Sequence, residues 1–318
     1  IADIVLNSTL QEKEIDVERQ VILQEIGQTF DTPDDIIFDW LQETAYPDQP
    51  YGRSILGPIE NIKSFSRKDL KQFTKSHYLP NNMVLCAAGE VDHEQVVGLC
   101  EKYFGKLKSG EKKNPVKAQF VGGERREEKE LEQAHFAISF NGPSVRNNDL
   151  FVGQIYSVIM GGGMSSKFFQ EIREKQGLCY TIHSSLDAAN DTGSFIIYSC
   201  TGPEKISQLS YAIIDELKKS IQTISLKDLK KASTQIKAGL LMGLESSSNR
   251  CERMARGIAV WDRIIPVEET IRKIDAVSLD NLKRFARELC SIENPAVTFY
   301  GNVNAAPTVD DIVGELSS

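Results

Sequence analysis

Residues 59–91, IENIKSFSRKDLKQFTKSHYLPNNMVLCAAGEV, recur in altered form at 271–303 as IRKIDAVSLDNLKRFARELCSIENPAVTFYGNV. The offset is a constant 212 without gaps. Nine of the 33 positions are identical, among them Ser66/Ser278, Leu70/Leu282, Phe73/Phe285, Gly89/Gly301 and Val91/Val303. Chance would give about two matches over that length, so the chain reads as a duplicated domain. The physics of the two copies agrees. Each opens with a serine followed three residues later by an acid or amide, the pattern of a helix N-cap. A helix is expected next, then a β-rich run closed by Gly-x-Val. The same offset carries back through Ile1/Ile213, Asp3/Asp215, Ser8/Ser220 and Asp16/Asp228.

The second copy reads as complete. A lysine-rich connection, GKLKSGEKKNPVKAQFVGG (105–123), precedes it and is expected to contain the interdomain linker. Then come a strand (134–140), a helix (about 147–160), the glycine-rich MGGGMSS (160–166), a helix (166–176), strands at 178–186 and 193–200, and helices at about 203–222 and 226–246. Subtracting the offset places everything from 124 to 212 ahead of residue 1 in the first copy, which is therefore expected to lack roughly 90 residues. The expected division is 1–108 for the remainder of the first domain, 109–123 for the linker and 124–318 for the second domain.

With 318 residues, 41% hydrophobic and 26% charged, the composition is that of a globular protein, and there is no apolar run long enough to cross a bilayer. A net charge of −8 argues against a nucleic-acid partner. The six cysteines are scattered without a CxxC pair, which reads as buried free thiols in a reducing compartment.

Within DVERQVILQEI (16–26), Glu18 and Glu25 lie two helical turns apart, so both carboxylates project from one face. Such a pair is a solvated stripe or part of a cation site. Under the offset Glu18 falls opposite Lys230 and Glu25 opposite Lys237, so only one copy carries the acids. That suits a duplicated domain with one active half.

Taken together, the order and spacing of ERQVILQEI, DQPYGRSILGPIENI, SFSRKDLKQF, NNMVLCAAGEVDHE, GGGMSSKFFQEIREKQGLCYTIHSS and DTGSFIIYSCTG resemble the pitrilysin (insulysin) family of zinc endopeptidases. Within that family the chain is most similar to the short bacterial members akin to the β subunit of mitochondrial processing peptidase. The resemblance implies an α+β fold of two homologous domains, each a β-sheet with helices packed on one face, the first domain here incomplete. It also implies an inverted zincin motif, HxxEH, about 75 residues before a third zinc ligand, a glutamate. Glu25 matches that third ligand, and Glu18 the acid two turns earlier that orients the catalytic site.

No HxxEH occurs in the 318 residues, and the four histidines, His77, His93, His135 and His183, have no ligand spacing. The chain by itself is thus expected to bind no catalytic zinc (Zn²⁺) and to be inactive alone. His93 reads as a surface residue at a helix start, and His135 and His183 as strand histidines.

In FFQEIREKQGLCYT (168–181), Gly177 is expected to end a helix in the left-handed conformation. Arg173 and Tyr180 flank that turn. By residue type they are a helix-terminal cation and a packing tyrosine, or a pair that grips a peptide carbonyl. The family resemblance assigns them to substrate binding. In DTPDDIIFDW (31–40), Thr32 caps a helix begun by Pro33, and Asp35 and Asp39 lie one turn apart. The resemblance assigns this pair to a substrate arginine, whose guanidinium fork suits two carboxylates. MGGGMSS lacks any phosphate-loop pattern and reads as close packing.

The resulting expectation is a zinc metalloendopeptidase of the processing-peptidase type that takes extended, basic peptides. The alternatives are a non-catalytic subunit or a peptide-binding module of the same fold. The expected partners are a peptide substrate and either a second copy or a paired homologous subunit, with no nucleic acid and no membrane. The expected compartment is the bacterial cytoplasm or the mitochondrial matrix.

Overall fold

The computed structural model describes residues 1–110 and 115–318; residues 111–114, inside the stretch read as the linker, lie outside them. Two compact units result. The first comprises Ile1–Gln28, Leu56–Pro115 and Ala238–Glu269, and the second Thr29–Ile55, Val116–Lys237 and Thr270–Ser318. Under the sequence repeat this membership is reciprocal. Thr29–Ile55 comes from the first copy but belongs to the second unit, and its counterpart at 241–267 falls within the first. Each unit therefore contains a helical segment drawn from the opposite copy.

The second unit is built on a five-stranded sheet. Its strands are β1 (Gly123–Glu128), β2 (Ala134–Asn141), β3 (Thr181–Ala188), β4 (Gly193–Thr201) and β5 (Ala296–Gly301), in the order β1-β5-β2-β4-β3. β1 runs parallel to β5, and the remaining neighbours are antiparallel. Alternation along the strands gives the sheet two different faces. One carries Phe136, Ile138, Phe195, Ile197, Val297 and Phe299, packed with Ile155, Ile213, Phe285 and Ile312 from the helices Leu150–Gly161, Ile206–Thr223, Leu279–Cys290 and Val309–Ser317. The other carries Ala137, Tyr198, Cys200, Ala296 and Tyr300. It is covered by Ile36, Ile37, Trp40 and Leu41 of the Pro33–Ala45 helix. The architecture is mixed α+β, with a main helical layer on one face and a single helix on the other.

The covering helix is fixed at its C-terminal end. The buried Tyr46 hydroxyl meets Thr192 Oγ1 at 2.9 Å and Ser194 Oγ at 3.1 Å. The stretch just before β1 is tied down as well: Val121 N donates to Ala45 O at 2.9 Å, and Ala118 N to Asp191 Oδ2 at 2.9 Å. At the sheet edge, β1 (GERREE) carries charge of both signs. Arg125 lies 4.5 Å over the Trp40 ring and pairs with Glu43 at 2.6 Å. Arg126 lies 5.0 Å over Phe299 and donates to the carbonyls of Val303 and Pro307 at 2.8 and 2.9 Å.

The repeat is visible in local geometry. Ser66 with Asp69 and Ser278 with Asn281 each form a reciprocal capping box, and Gly89 and Gly301 both have φ above +110°. Burial separates the copies. Phe285 and Val303 are buried, whereas their counterparts Phe73 and Val91 are each 53% exposed. Only Ile26 and Gly257 are buried among the described residues of the first unit.

The β-rich run, expected ahead of Gly89, forms no strand at 83–88. Its counterpart β5 exchanges ladder hydrogen bonds with β1 and β2, and a strand exists only with such neighbours. Among the described residues no strand is formed in the first unit to supply them.

Candidate active-site residues

Glu18 and Glu25 both lie on the Glu12–Asp31 helix and are exposed. That helix is held by Arg19, which donates to the carbonyls of Ile62 and Phe65, the latter at 2.9 Å. Its residue Ile26 is buried, which turns the Glu18/Glu25 stripe outward. Among the described residues no group of three or more His, Cys, Asp or Glu side chains is placed to hold a metal ion. The donor set offers one carboxylate where a hydrolytic zinc needs three protein ligands.

Arg173 and Tyr180 are brought together. The Phe169–Glu174 segment is a π-helical turn, a conformation that re-aims side chains and recurs at functional sites. Its end is set by Gly177 at φ +60°, whose N–H donates to Arg173 O at 3.1 Å. The Arg173 guanidinium is thereby sandwiched, 4.3 Å over Phe169 and 5.2 Å over Tyr180. A carboxylate of Glu174 lies 3.6 Å away. Tyr180 is 76% exposed. Phe169, half of the sandwich, carries no sequence signal beyond its place one turn before Arg173.

Thr32 and Pro33 begin the Pro33–Ala45 helix, as expected. Asp35 is exposed and Asp39 half-buried on it. Between them in sequence, Phe38 packs on His183 and Tyr198, with ring centroids 6.2 and 5.2 Å apart. Asp34 and Asp35 add to the burial that drives Tyr198 far above the ordinary phenol range.

The histidines have structural places. His135 is buried, with Nδ1 2.9 Å from the Tyr198 hydroxyl, and burial pulls its pKa down against an opposing pull from Asp34. Burial likewise lowers His183. His93 is exposed at the first position of the His93–Phe104 helix, capped by Asp92. In MGGGMSS, a Cβ on Gly161 would lie 2.2 Å from Ser184 N, so the glycine permits the Leu150–Gly161 helix to close on β3.

Residues 1–59 match the family profile described as insulinase (peptidase family M16), and residues 64–236 the one described as peptidase M16 inactive domain. An uncharacterized zinc protease of Rickettsia felis is 36% identical over 292 residues, covering 92% of this chain and 71% of the relative. A protein of Arabidopsis thaliana named "Probable mitochondrial-processing peptidase subunit beta, mitochondrial" is 32% identical over 322 residues, covering 96% of this chain and 60% of that protein. The chain belongs to peptidase family M16, the insulinase or pitrilysin family of metallopeptidases. Two solved structures share the fold. A protease from Helicobacter pylori superposes with a TM-score of 0.83 at 24% identity, covering 91% of this chain and 72% of the other. A chain of complex III2 from Candida albicans gives 0.88 at 18% identity, covering 99% and 76%.

Proposed function

We propose that the chain is the larger part of a zinc endopeptidase of the processing-peptidase type, which cleaves extended, basic peptides. Residues 1–108 are the remainder of the zinc-site domain, 109–123 the linker and 124–318 the second, inactive domain. Glu25 supplies one zinc ligand, and Glu18, two turns away on the same helix face, positions it. The imidazole ligands come from outside these 318 residues, which hold no HxxEH. Zinc, once bound, polarises the scissile carbonyl and its water. The chain alone is expected to bind no zinc and to cleave nothing.

The observation that carries the substrate reading is the Arg173–Tyr180 pair, a half-buried guanidinium beside an exposed phenol. A guanidinium held between two rings and a phenol open to solvent present preorganised donors, and such donors suit a peptide carbonyl that gathers negative charge. Asp35 and Asp39, one turn apart, offer two carboxylates to a substrate arginine. Peptide adds a strand to a sheet edge of the first domain that lies outside these 318 residues, so that main-chain bonds give affinity and few side chains give selectivity. The mitochondrial-processing peptidase relative and the complex III neighbour support a paired homologous subunit or a second copy as the assembly. Bacterial and mitochondrial relatives support a bacterial cytoplasmic or mitochondrial matrix setting. Among the described residues no helix is long and apolar enough to cross a membrane.

The test uses the catalytically complete protein. Glu25→Gln should lose zinc, measured by elemental analysis, together with cleavage of a quenched arginine-containing peptide, because a neutral amide oxygen is a poor zinc ligand. Glu18→Gln should lose about 10–100-fold in activity. Full zinc occupancy and full rate in Glu25→Gln would disprove the ligand assignment.

A further inference from the structure

Cys86 and Cys251 lie 165 positions apart in sequence, yet both are half-buried in the first unit and in contact. The Cys251 thiol donates to the Cys86 carbonyl oxygen at 3.2 Å. Two comparisons with the second unit show that this contact is built in. The Ser247–Trp261 helix, capped by Ser246, is the exchanged counterpart of the Pro33–Ala45 helix, capped by Thr32. Counted from those caps, a register two residues beyond the 212 offset, Cys251 stands where Ile37 stands, and Ile37 is wholly buried against the sheet. Under the repeat, Cys86 falls opposite Thr298 of β5, a strand that the Pro33–Ala45 helix covers. In both units the same face of an exchanged helix thus lies on the same stretch of chain. In the second unit an isoleucine fills the crossing, and in the first the Cys251 thiol does, bonded to the backbone of Cys86.

We propose that Cys86 and Cys251 are a redox-active dithiol, a modification site that closes to an intrachain disulfide and staples the exchanged Ser247–Trp261 helix to the 83–88 run. The oxidant belongs to the disulfide class. One cysteine thiolate attacks a sulfur of the small disulfide, forming a mixed disulfide and expelling one thiolate. The second cysteine then attacks the cysteine sulfur of that mixed bond and expels the other. Two cysteine thiols and one disulfide give one protein disulfide and two small thiols, with two electrons passing from protein to oxidant. Burial and the neighbouring Cys251 thiol push the Cys86 thiol up, so closure is faster as pH rises and the thiolate forms.

The remaining cysteines provide the control. Cys179 and Cys200 also neighbour one another, but in the second unit. The folded 318-residue chain is incubated with oxidised glutathione, blocked with an alkylating reagent, digested without reduction and mapped by mass spectrometry. The expected result is a single cross-linked peptide pair containing Cys86 and Cys251, a loss of two titratable thiols per chain and a higher melting temperature. Cys86→Ser and Cys251→Ser should each abolish the cross-link and the rise in melting temperature. The two variants check each other should one fold poorly. Retention of both thiols in the folded chain, a cross-link mapped to Cys179 and Cys200, or equal stabilisation in either serine variant would overturn the proposal.

Discussion

Replacing Tyr46 by Phe tests whether the Thr29–Ile55 segment is truly part of the sheet unit. The hydroxyl is fully buried, and its neighbours are Thr192 Oγ1 at 2.9 Å, Ser194 Oγ at 3.1 Å and, more distantly, Gly193 O at 3.4 Å. Two neutral hydrogen bonds contribute about 0.5–1.5 kcal/mol each, and a hydroxyl left dry on Thr192 adds a desolvation penalty of about 1 kcal/mol or more. The ring keeps its edge-on contacts with Tyr51 and Phe120, at centroid distances of 4.8 and 5.5 Å, so little packing is lost. The expected cost is about 2–3 kcal/mol, or a fall of about 4–12 °C in melting temperature for a unit of this size. Thermal unfolding followed by circular dichroism reads it. Adding Thr192→Val removes the stranded partner, so the double variant should lose less than the sum of the two single changes. A fall below about 2 °C, or strict additivity, would refute the anchoring role of this hydroxyl.

In the catalytically complete protein, Arg173→Ala and Tyr180→Phe should lower kcat/KM by about 10²–10³-fold, the usual scale for a donor aimed at developing charge. Tyr180→Phe should leave the melting temperature unchanged, since the hydroxyl is exposed and the ring still covers Arg173. Asp35→Asn with Asp39→Asn should remove the preference for an arginine-containing peptide over its glutamine analogue while sparing zinc content, and an unchanged preference would retire the arginine pocket. The desolvated imidazoles of the second unit predict a pH effect. His135 and His183 are held below the usual imidazole pKa, so the unfolded chain binds protons that the fold does not, and stability must fall as pH drops below the unfolded value near 6.5. The limiting slope is about 1.4 kcal/mol per pH unit for each histidine, and urea titrations near pH 7 and pH 5 should show a weaker dependence in His135→Gln.

Much of the second unit was legible because its signals are local. Ser278 and Asn281 announce a capping box, Gly177 a left-handed helix end, and the run AHFAISF a strand. Arg173 and Tyr180 were legible as a pair because they flank one turn. Other features are set by tertiary partners. The 83–88 run has the composition of a strand, but only neighbouring strands could make it one. The exchange of Thr29–Ile55 against its counterpart depends on which sheet an amphipathic helix finds, and periodicity carries no such address. Cys86 and Cys251 looked unrelated in sequence for the same reason. Phe169 became recognisable only when the π-helical turn laid it under Arg173.

The charged outer strand β1 has a consequence for the molecule's behaviour toward its own kind. An outermost strand is an open template that invites other chains to extend the sheet into aggregates. Here every residue from Glu124 to Glu128 is charged, and the two arginines fold back over Trp40 and Phe299. An incoming strand would have to bury those charges beside its own backbone and pull Arg126 away from the carbonyls of Val303 and Pro307. The residues that close the sheet on this side therefore also guard it, keeping a unit made of strongly apolar strands dispersed in water.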